Sequence, residues 1–337
     1  MKTTTIHPTH PVFFLGIDVG KKDLFCHILH FGSSYSERFD NHAAGISKLV
    51  DWLKGIAEPA QTIACLEQTG HYAKPIAKQL AALELRALHV VNPRCIKAFA
   101  HRKLRRNKSD SADSRLIAEF ARSEHFELRP WTPQPPENEE ITELSRYADS
   151  LTADNARFKT KCESTDNPMI LKSLKKRIKA QEKEIAELRR RINALIRSQP
   201  MLRKQKELLL SIPGIGETTC HILIAELPEI DLFESARQLA AWGGVTPRHY
   251  KSGTSGSTKT PITKVGSSNL RRALFMPAMT ARTNNPLLKE FADRLNENGK
   301  KPKQVIIAVM RKLLHQIYGI LKSGEPYNPN KKGFQAA

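Results

Sequence analysis

The chain has few cysteines and few acids. Its five cysteines, Cys26, Cys65, Cys95, Cys162 and Cys220, are odd in number and include no C-x-x-C pair. Structural zinc and a disulfide framework are therefore not expected, and a reducing, cytoplasmic setting fits. No apolar run approaches the roughly 20 residues of a membrane-spanning helix. The opening MKTTTIHPTHP has no apolar core, so a secretory signal is not expected. A P-loop pattern is also missing, so no NTP-driven step is expected. Asp and Glu number 34 against 54 Lys and Arg, which leaves a net charge of +20 over 337 residues. Most of that excess must be on the surface, which points to a polyanionic partner, nucleic acid before anionic membrane. Apolar residues at 40% exclude wholesale disorder. The length suits two or three domains of about 150 residues.

The first part reads as α/β. Val12–Val19 is a short apolar run ending at Gly20; Leu24–Phe31 and Tyr35–Phe39 follow as strands around the turn residues Gly32, Ser33 and Ser34. Gly45–Leu53 has helical spacing, Thr62–Glu67 reads as a buried strand, Tyr72–Leu83 as a helix, and Arg86–Val91 as a strand closed by Asn92-Pro93. A mixed sheet with helices on its faces follows. A basic block, His101–Lys108, precedes a helix over Ser109–Arg122, and the Pro-rich Arg129–Asn138 reads as a linker. From Ile141 to about Ile196 the pattern is helical. Leu171, Leu174, Ile178, Ile185, Leu188, Ile192 and Leu195 occupy a and d positions of one heptad frame, with Gln181 at an odd d site. Asp166-Asn167-Pro168 breaks the helix, so an antiparallel hairpin is an alternative to a seam between chains. A mainly helical region from Leu208 to about Ser323 and a tail rich in Pro, Asn, Gly and Lys complete the chain. The expected division is a tail over 1–11, an α/β domain over 12–128, a linker over 129–140, a coiled coil over 141–200, a helical domain over 205–323 and a frayed tail over 324–337.

Four carboxylates stand out. Asp18 ends the first strand, Glu67 ends a later one, and Asp110 and Asp113 are three apart on a helix and share a face. Carboxylates brought to one spot repel unless a cation neutralises them. Mg²⁺ or Mn²⁺ suits such oxygen ligands and can clamp a scissile phosphate. Taken singly, Asp18 also fits a turn and Asp110 a helix cap. Strand, strand and helix in this order resemble the RNase H-like (RuvC-like) fold of Holliday-junction resolvases, over roughly Val12–Ala121. Arg102, Lys103, Arg105, Arg106 and Lys108, just before Asp110, are candidates for holding a phosphate backbone.

Ile212-Pro213-Gly214-Ile215-Gly216 resembles the turn of helix-hairpin-helix domains. Gly214 and Gly216 permit a tight turn, and the next helix offers its N-terminus to a phosphate. Further on, WGGVTPRHYKSG carries Ser252 before Gly253 in a cationic loop with Lys251, Lys259 and Lys264, followed by Gly266 and Asn269-Leu270-Arg271-Arg272. A serine hydroxyl needs activation to act as a nucleophile, and no His–Asp pair flanks Ser252. Ser-Gly is also ordinary turn chemistry.

Gly244-Val245-Thr246-Pro247, Ser252-Gly253, Gly266 and Asn269-Leu270-Arg271-Arg272, together with the four acids, resemble the transposases of insertion-sequence family one-hundred-ten. These are bridge-RNA-guided recombinases related to the Piv-type DNA invertases. The resemblance spans about Val12–Leu321 and implies an RNase H-like domain, a coiled-coil middle and a mainly helical C-terminal transposase domain. It further implies that Asp18, Glu67, Asp110 and Asp113 hold Mg²⁺ (or Mn²⁺) and that Ser252 attacks the phosphate to form a phosphoserine. The implied partners are a guide RNA pairing with donor and target double-stranded DNA, with sequence choice delegated to base pairing. Arg271 and Arg272 join the basic residues expected to hold nucleic acid. Assembly as a dimer to tetramer, with acids and serine drawn from different subunits, is also implied. Two other readings compete: a Mg²⁺-dependent resolvase-type endonuclease in which Ser252 is structural, and a scaffold without catalysis.

Overall fold

A computed structural model describes residues 12–104, 110–248 and 261–330. The chain forms two compact units, with the boundary between Gln134 and Pro135.

In the first unit, β1 (Phe13–Val19), β2 (Asp23–His30) and β3 (Ser33–Asp40) form an antiparallel meander. It is followed by α1 (Ala43–Ile56), β4 (Thr62–Glu67), α2 (Lys74–Ala81), β5 (Ala87–Val91), α3 (Pro93–Arg102) and α4 (Asp110–Glu124). The sheet order is β3-β2-β1-β4-β5, and β1, β4 and β5 run parallel. This mixed five-stranded sheet fits the RNase H-like expectation. β1 and β4 read as continuous apolar runs because both of their faces are covered. Leu15, Ile17, Val19, Ala64 and Leu66 pack with Leu49, Leu53, Ile76 and Leu80 of α1 and α2. Phe14 and Cys65 pack with Phe99, Ile117, Phe120 and Ala121 of α3 and α4. β3 is a polar, exposed edge strand.

Asn92-Pro93 closes β5 at Val91, as expected, and also starts α3: the Asn92 side chain accepts from Arg94 N at 3.0 Å, and Pro93 takes the first helical position. In the Pro-rich segment, Trp131 donates its backbone N–H to Leu88 O at 2.6 Å, and its ring packs on the sheet core.

The second unit begins with α5 (Pro136–Glu163) and α6 (Pro168–Ser198). They form an antiparallel hairpin, in which Arg191 pairs with Glu140 at 2.7 Å and Tyr147 with Glu184 at 2.9 Å. Asn167 caps α6, accepting from Met169 N and Ile170 N. Leu174, Ile185, Ile192 and Leu195 of the heptad frame are buried, as are Ile141, Ala148 and Leu151 of α5. The apolar seam is thus covered within one chain, the hairpin alternative. The remaining helices are α7 (Pro200–Leu210), α8 (Glu217–Glu226), α9 (Ala236–Trp242), α10 (Ser268–Asn284), α11 (Pro286–Glu297) and α12 (Pro302–Ser323). The core of this unit gathers on α12, whose Val305, Val309, Leu313, Leu314, Ile317 and Ile320 are fully buried. The chain stays docked past Gly324: Tyr327 packs on this core, donates N–H to Ser211 Oγ at 2.9 Å and Oη–H to Asn285 Oδ1 at 2.9 Å. Among the described residues, no helix is long and apolar enough to cross a membrane.

Candidate active site

The β1–β4 register runs from Phe13 opposite Thr62 to Ile17 opposite Leu66. One step further stand Asp18 and Glu67, on neighbouring strands about 4.8 Å apart. Side chains alternate along a strand, so both share the face of Gly16 and Cys65. That face is covered by α4. Gly16 makes the close approach possible: a Cβ there would lie 2.2 Å from Ala118 N and 2.3 Å from Ser114 O. At the other end of β1, the Phe14 ring meets His125, just beyond α4, at 5.4 Å. The helix therefore runs antiparallel to β1. Its first turn, opened by Asp110 and carrying Asp113, comes to the strand ends that hold Asp18 and Glu67. The turn after β1 is fixed by Gly20 N–H donating to Asp23 O at 2.8 Å and by Asn41 Nδ2 donating to Gly20 O at 2.9 Å and Tyr72 O at 3.2 Å.

Among the described residues no three His, Cys, Asp or Glu side chains form a metal-binding group by themselves; Asp110 is described only by its backbone. Mg²⁺ needs no all-protein cage, since one or two carboxylates with substrate phosphate and water suffice. Asp18 and Glu67, side by side and offering only oxygen donors, fit that requirement.

The basic block divides. Arg102 pairs with Glu124 at 2.7 Å and lies 4.8 Å from the Phe99 ring centre. Lys103 pairs with Glu119 and lies 5.0 Å from the same ring. Burial alone would raise the Glu119 pKa; Lys103 and Arg115 outweigh it and hold the carboxyl below its ordinary value. Arg105, Arg106 and Lys108 lie outside the described residues.

In the second unit, α7 and α8 flank the expected hairpin turn. Gly214 has φ 105° and sits against α10, where a Cβ would come within 2.7 Å of Ala281 Cβ and 2.9 Å of Pro277 O. Gly216 is exposed and precedes α8. Behind it, His221 is buried and shares Asn193 Oδ1 (3.0 Å) with Lys206, which also pairs with Glu217 at 2.7 Å. Burial foremost, with the Lys206 charge, pushes the His221 pKa down to about 4.

Ser252, Lys251 and Lys259 lie outside the described residues, but the chain on either side of them is paired. Pro247 and Ile262 form an antiparallel bridge, Arg248 N–H donates to Pro261 O at 2.8 Å, and Thr263 N–H donates to Thr246 O at 2.9 Å. Gly266 (φ 127°) permits the stem to close, since a Cβ there would lie 1.8 Å from Trp242 O. Lys264 is exposed in a left-handed conformation, φ 52°. Arg271 donates to Gly243 O at 3.1 Å and Gly266 O at 3.2 Å, and Arg272 pairs with Asp149. Arg271 thus holds the stem to the helices, and Arg272 ties α10 to α5.

Sequence reasoning missed three residues that position these elements. Gly16 and Asn41 are named above. The third is Glu226, nearly buried, which pairs with Arg146 at 2.7 Å and accepts from Asn269 Nδ2 at 3.1 Å and Ser267 Oγ at 3.3 Å. A carboxylate ending an apolar helix was the only local sign of it.

Comparison with known proteins follows the same division. Residues 15–165 match a model described as "Transposase", of the DEDD type, and residues 206–293 match "Transposase IS116/IS110/IS902 family". The pilin gene-inverting protein of Moraxella bovis is 30% identical over 94% of this chain and 97% of its own length. The transposase for insertion sequence element IS1328 of Yersinia enterocolitica is 24% identical over 78% of this chain and 82% of its own. The insertion element IS110 43.6 kDa protein of Streptomyces coelicolor is 27% identical over 47% of this chain and 38% of its own. With a resolvase-like sheet, an acid pair at its parallel strand ends and a near full-length relative, the chain belongs to the IS110 family of transposases and is a DNA-recombining enzyme.

Proposed function

We propose that the protein is an RNA-guided recombinase that cuts and exchanges donor and target DNA strands through a phosphoserine at Ser252. Asp18 and Glu67 at the strand ends, with Asp110 and Asp113 from the first turn of α4, would hold a divalent ion at the scissile phosphate. Mg²⁺ or Mn²⁺, when bound there, neutralises the acids and polarises the phosphate oxygens. Ser252 Oγ attacks phosphorus, the P–O3′ bond breaks, and the 3′ oxygen leaves as a hydroxyl. In the second step a 3′-hydroxyl from the other DNA attacks the phosphoserine and releases Ser252 with its proton restored. The phosphodiester energy is conserved in the linkage, so no nucleotide triphosphate is required. The +20 charge supports backbone binding by RNA and DNA, with sequence choice left to base pairing. Gly214, Gly216, Lys251, Lys259, Lys264 and the basic segment before Asp110 are the backbone contacts this reading assigns, and a dimer to tetramer is its working assembly.

The observation that carries the proposal is the adjacency of Asp18 and Glu67 one step past the Ile17–Leu66 pair, under the start of α4. The test incubates protein, guide RNA and both DNAs with Mg²⁺ and resolves the products on a denaturing protein gel. DNA attached to the chain, lost in Ser252→Ala and in Asp18→Ala, is the expected result. Nicking that survives in Ser252→Ala assigns a resolvase-type endonuclease instead.

A further inference from the structure

The face of α12 that carries Arg311, Lys312 and His315 holds positive charge that, among the described residues, enters no ion pair. His315 is only 9% exposed, yet among the described residues neither ring nitrogen has a hydrogen-bond partner, and the buried Nε of Arg311 has none either. Buried polar groups are ordinarily satisfied, so two such residues one turn apart call for an explanation. α9 and α11 pack on α12 and add Arg237 and Arg294. Burial foremost, then Arg311, Lys312 and Arg237, pushes His315 down to about 4; burial, Arg311, Arg294 and Arg237 lower Lys312. The charges that act most strongly on both groups are cationic.

Three acids near these helices are engaged elsewhere: Asp293 pairs with Lys289 at 2.8 Å, Asp231 with Lys322 at 2.5 Å, and Glu234 accepts from Gln238 at 2.9 Å; Glu290 and Glu297, one turn from Arg294 on α11, form no ion pair with it among the described residues. Arg294 and Lys312 instead flank the Phe291 ring, at 5.6 and 5.5 Å from its centre. An aromatic face attracts a cation without neutralising it, and it keeps both charges at one place. Four cations from three helices, in no ion pair among the described residues and gathered over a buried imidazole, repel one another in the free protein. An arriving anion relieves that repulsion, and the fork of an arginine matches two phosphate oxygens.

We propose that Arg237, Arg294, Arg311 and Lys312, with His315 at their base, form a binding site for the phosphodiester backbone of a nucleic acid. The site grips backbone without reading bases. Its residues are different from Ser252 and the acids, and it does not depend on cleavage chemistry.

The test uses the full chain without divalent metal and two probes, a 30-base-pair duplex DNA and the duplex RNA of the same sequence. Affinity is measured by fluorescence anisotropy over a series of salt concentrations. Arg237→Gln/Arg294→Gln and Arg311→Gln/Lys312→Gln are compared with Lys48→Gln/Lys54→Gln, which removes the same charge from exposed positions of α1. Each site variant is expected to weaken binding by about tenfold or more at physiological salt and to lower the slope of log affinity against log salt by about 1 to 2, as loss of one or two phosphate contacts requires. The α1 variant is expected to change the slope by less. Arg237 and Arg294 are exposed, so their variant is expected to melt with the parent, which separates lost contact from lost fold. A loss confined to one probe identifies that polymer as the occupant. If neither site variant exceeds the α1 variant on either probe, the proposal is overturned. Because no metal is present, that outcome leaves the Ser252 reading untouched, and a missing phosphoserine leaves this site untouched.

Discussion

Gly16 of β1 and Ser114 of α4 are in backbone contact: a Cβ built on Gly16 lies 2.3 Å from the Ser114 carbonyl oxygen. That contact sets how closely the helix bearing Asp110 and Asp113 approaches the strand bearing Asp18. Gly16→Ala is expected to push α4 off the sheet, destabilise the unit by about 1–3 kcal/mol as overpacking does, and abolish DNA cleavage. Gly55→Ala, at a position with nothing within 4 Å, is the matched control and is expected to be neutral or slightly stabilising. Thermal melts and the cleavage assay check both.

Metal dependence has a readout apart from turnover. A ligand that binds only the folded state raises its melting temperature. Mg²⁺ is expected to raise the melting temperature of the parent and to do so less in Asp18→Asn and Glu67→Gln. An equal Mg²⁺ response in all three proteins counts against the acid pair as a metal ligand.

The stem around Ser252 is expected to be as sensitive as the serine itself. Gly266→Ala places a Cβ 1.8 Å from Trp242 O at a φ of 127° that non-glycine residues rarely adopt. Loss of the DNA–protein adduct is expected, with duplex DNA binding retained. Glu226→Ala strips Asn269, Ser267 and Arg146 of their shared acceptor and is expected to cost about 1–3 kcal/mol. Urea unfolding measures that loss.

His221 predicts a pH dependence. Its folded pKa, about 4, is below the ordinary 6.5, so protonation favours the unfolded chain. Its stabilising effect is complete above pH 6.5 and declines as pH falls from 6.5 toward 4. His221→Gln is expected to flatten the stability profile in that window, as read by urea midpoints. An unchanged slope in the variant removes His221 as the cause.

Much of the site was legible locally. Asp18 and Glu67 were visible because each ends an apolar run bounded by turn residues, and Asp110 and Asp113 because three-residue spacing puts them on one helix face. Asn92-Pro93 reads as closing a strand, which it does after Val91; that Asn92 also caps α3 by accepting from Arg94 N–H was not legible, because the pair serves both roles. The heptads of α6 mark an apolar seam, of which Leu174, Ile185, Ile192 and Leu195 are buried, but heptads do not say whether the covering helix is the chain's own.

By itself the sequence determined the strand and helix periods, the acids at strand ends, the glycine turns and the basic balance, since each is written in residues a few positions apart. Tertiary structure alone decided that α4 runs antiparallel to β1 over Gly16, that α5 covers the α6 seam, and that Glu226 receives Asn269 from 43 residues away. It also decided which cations gather around α12. Those outcomes depend on which distant surfaces meet, because a charge is neutralised and a backbone approached by neighbours in space, whatever their separation along the chain.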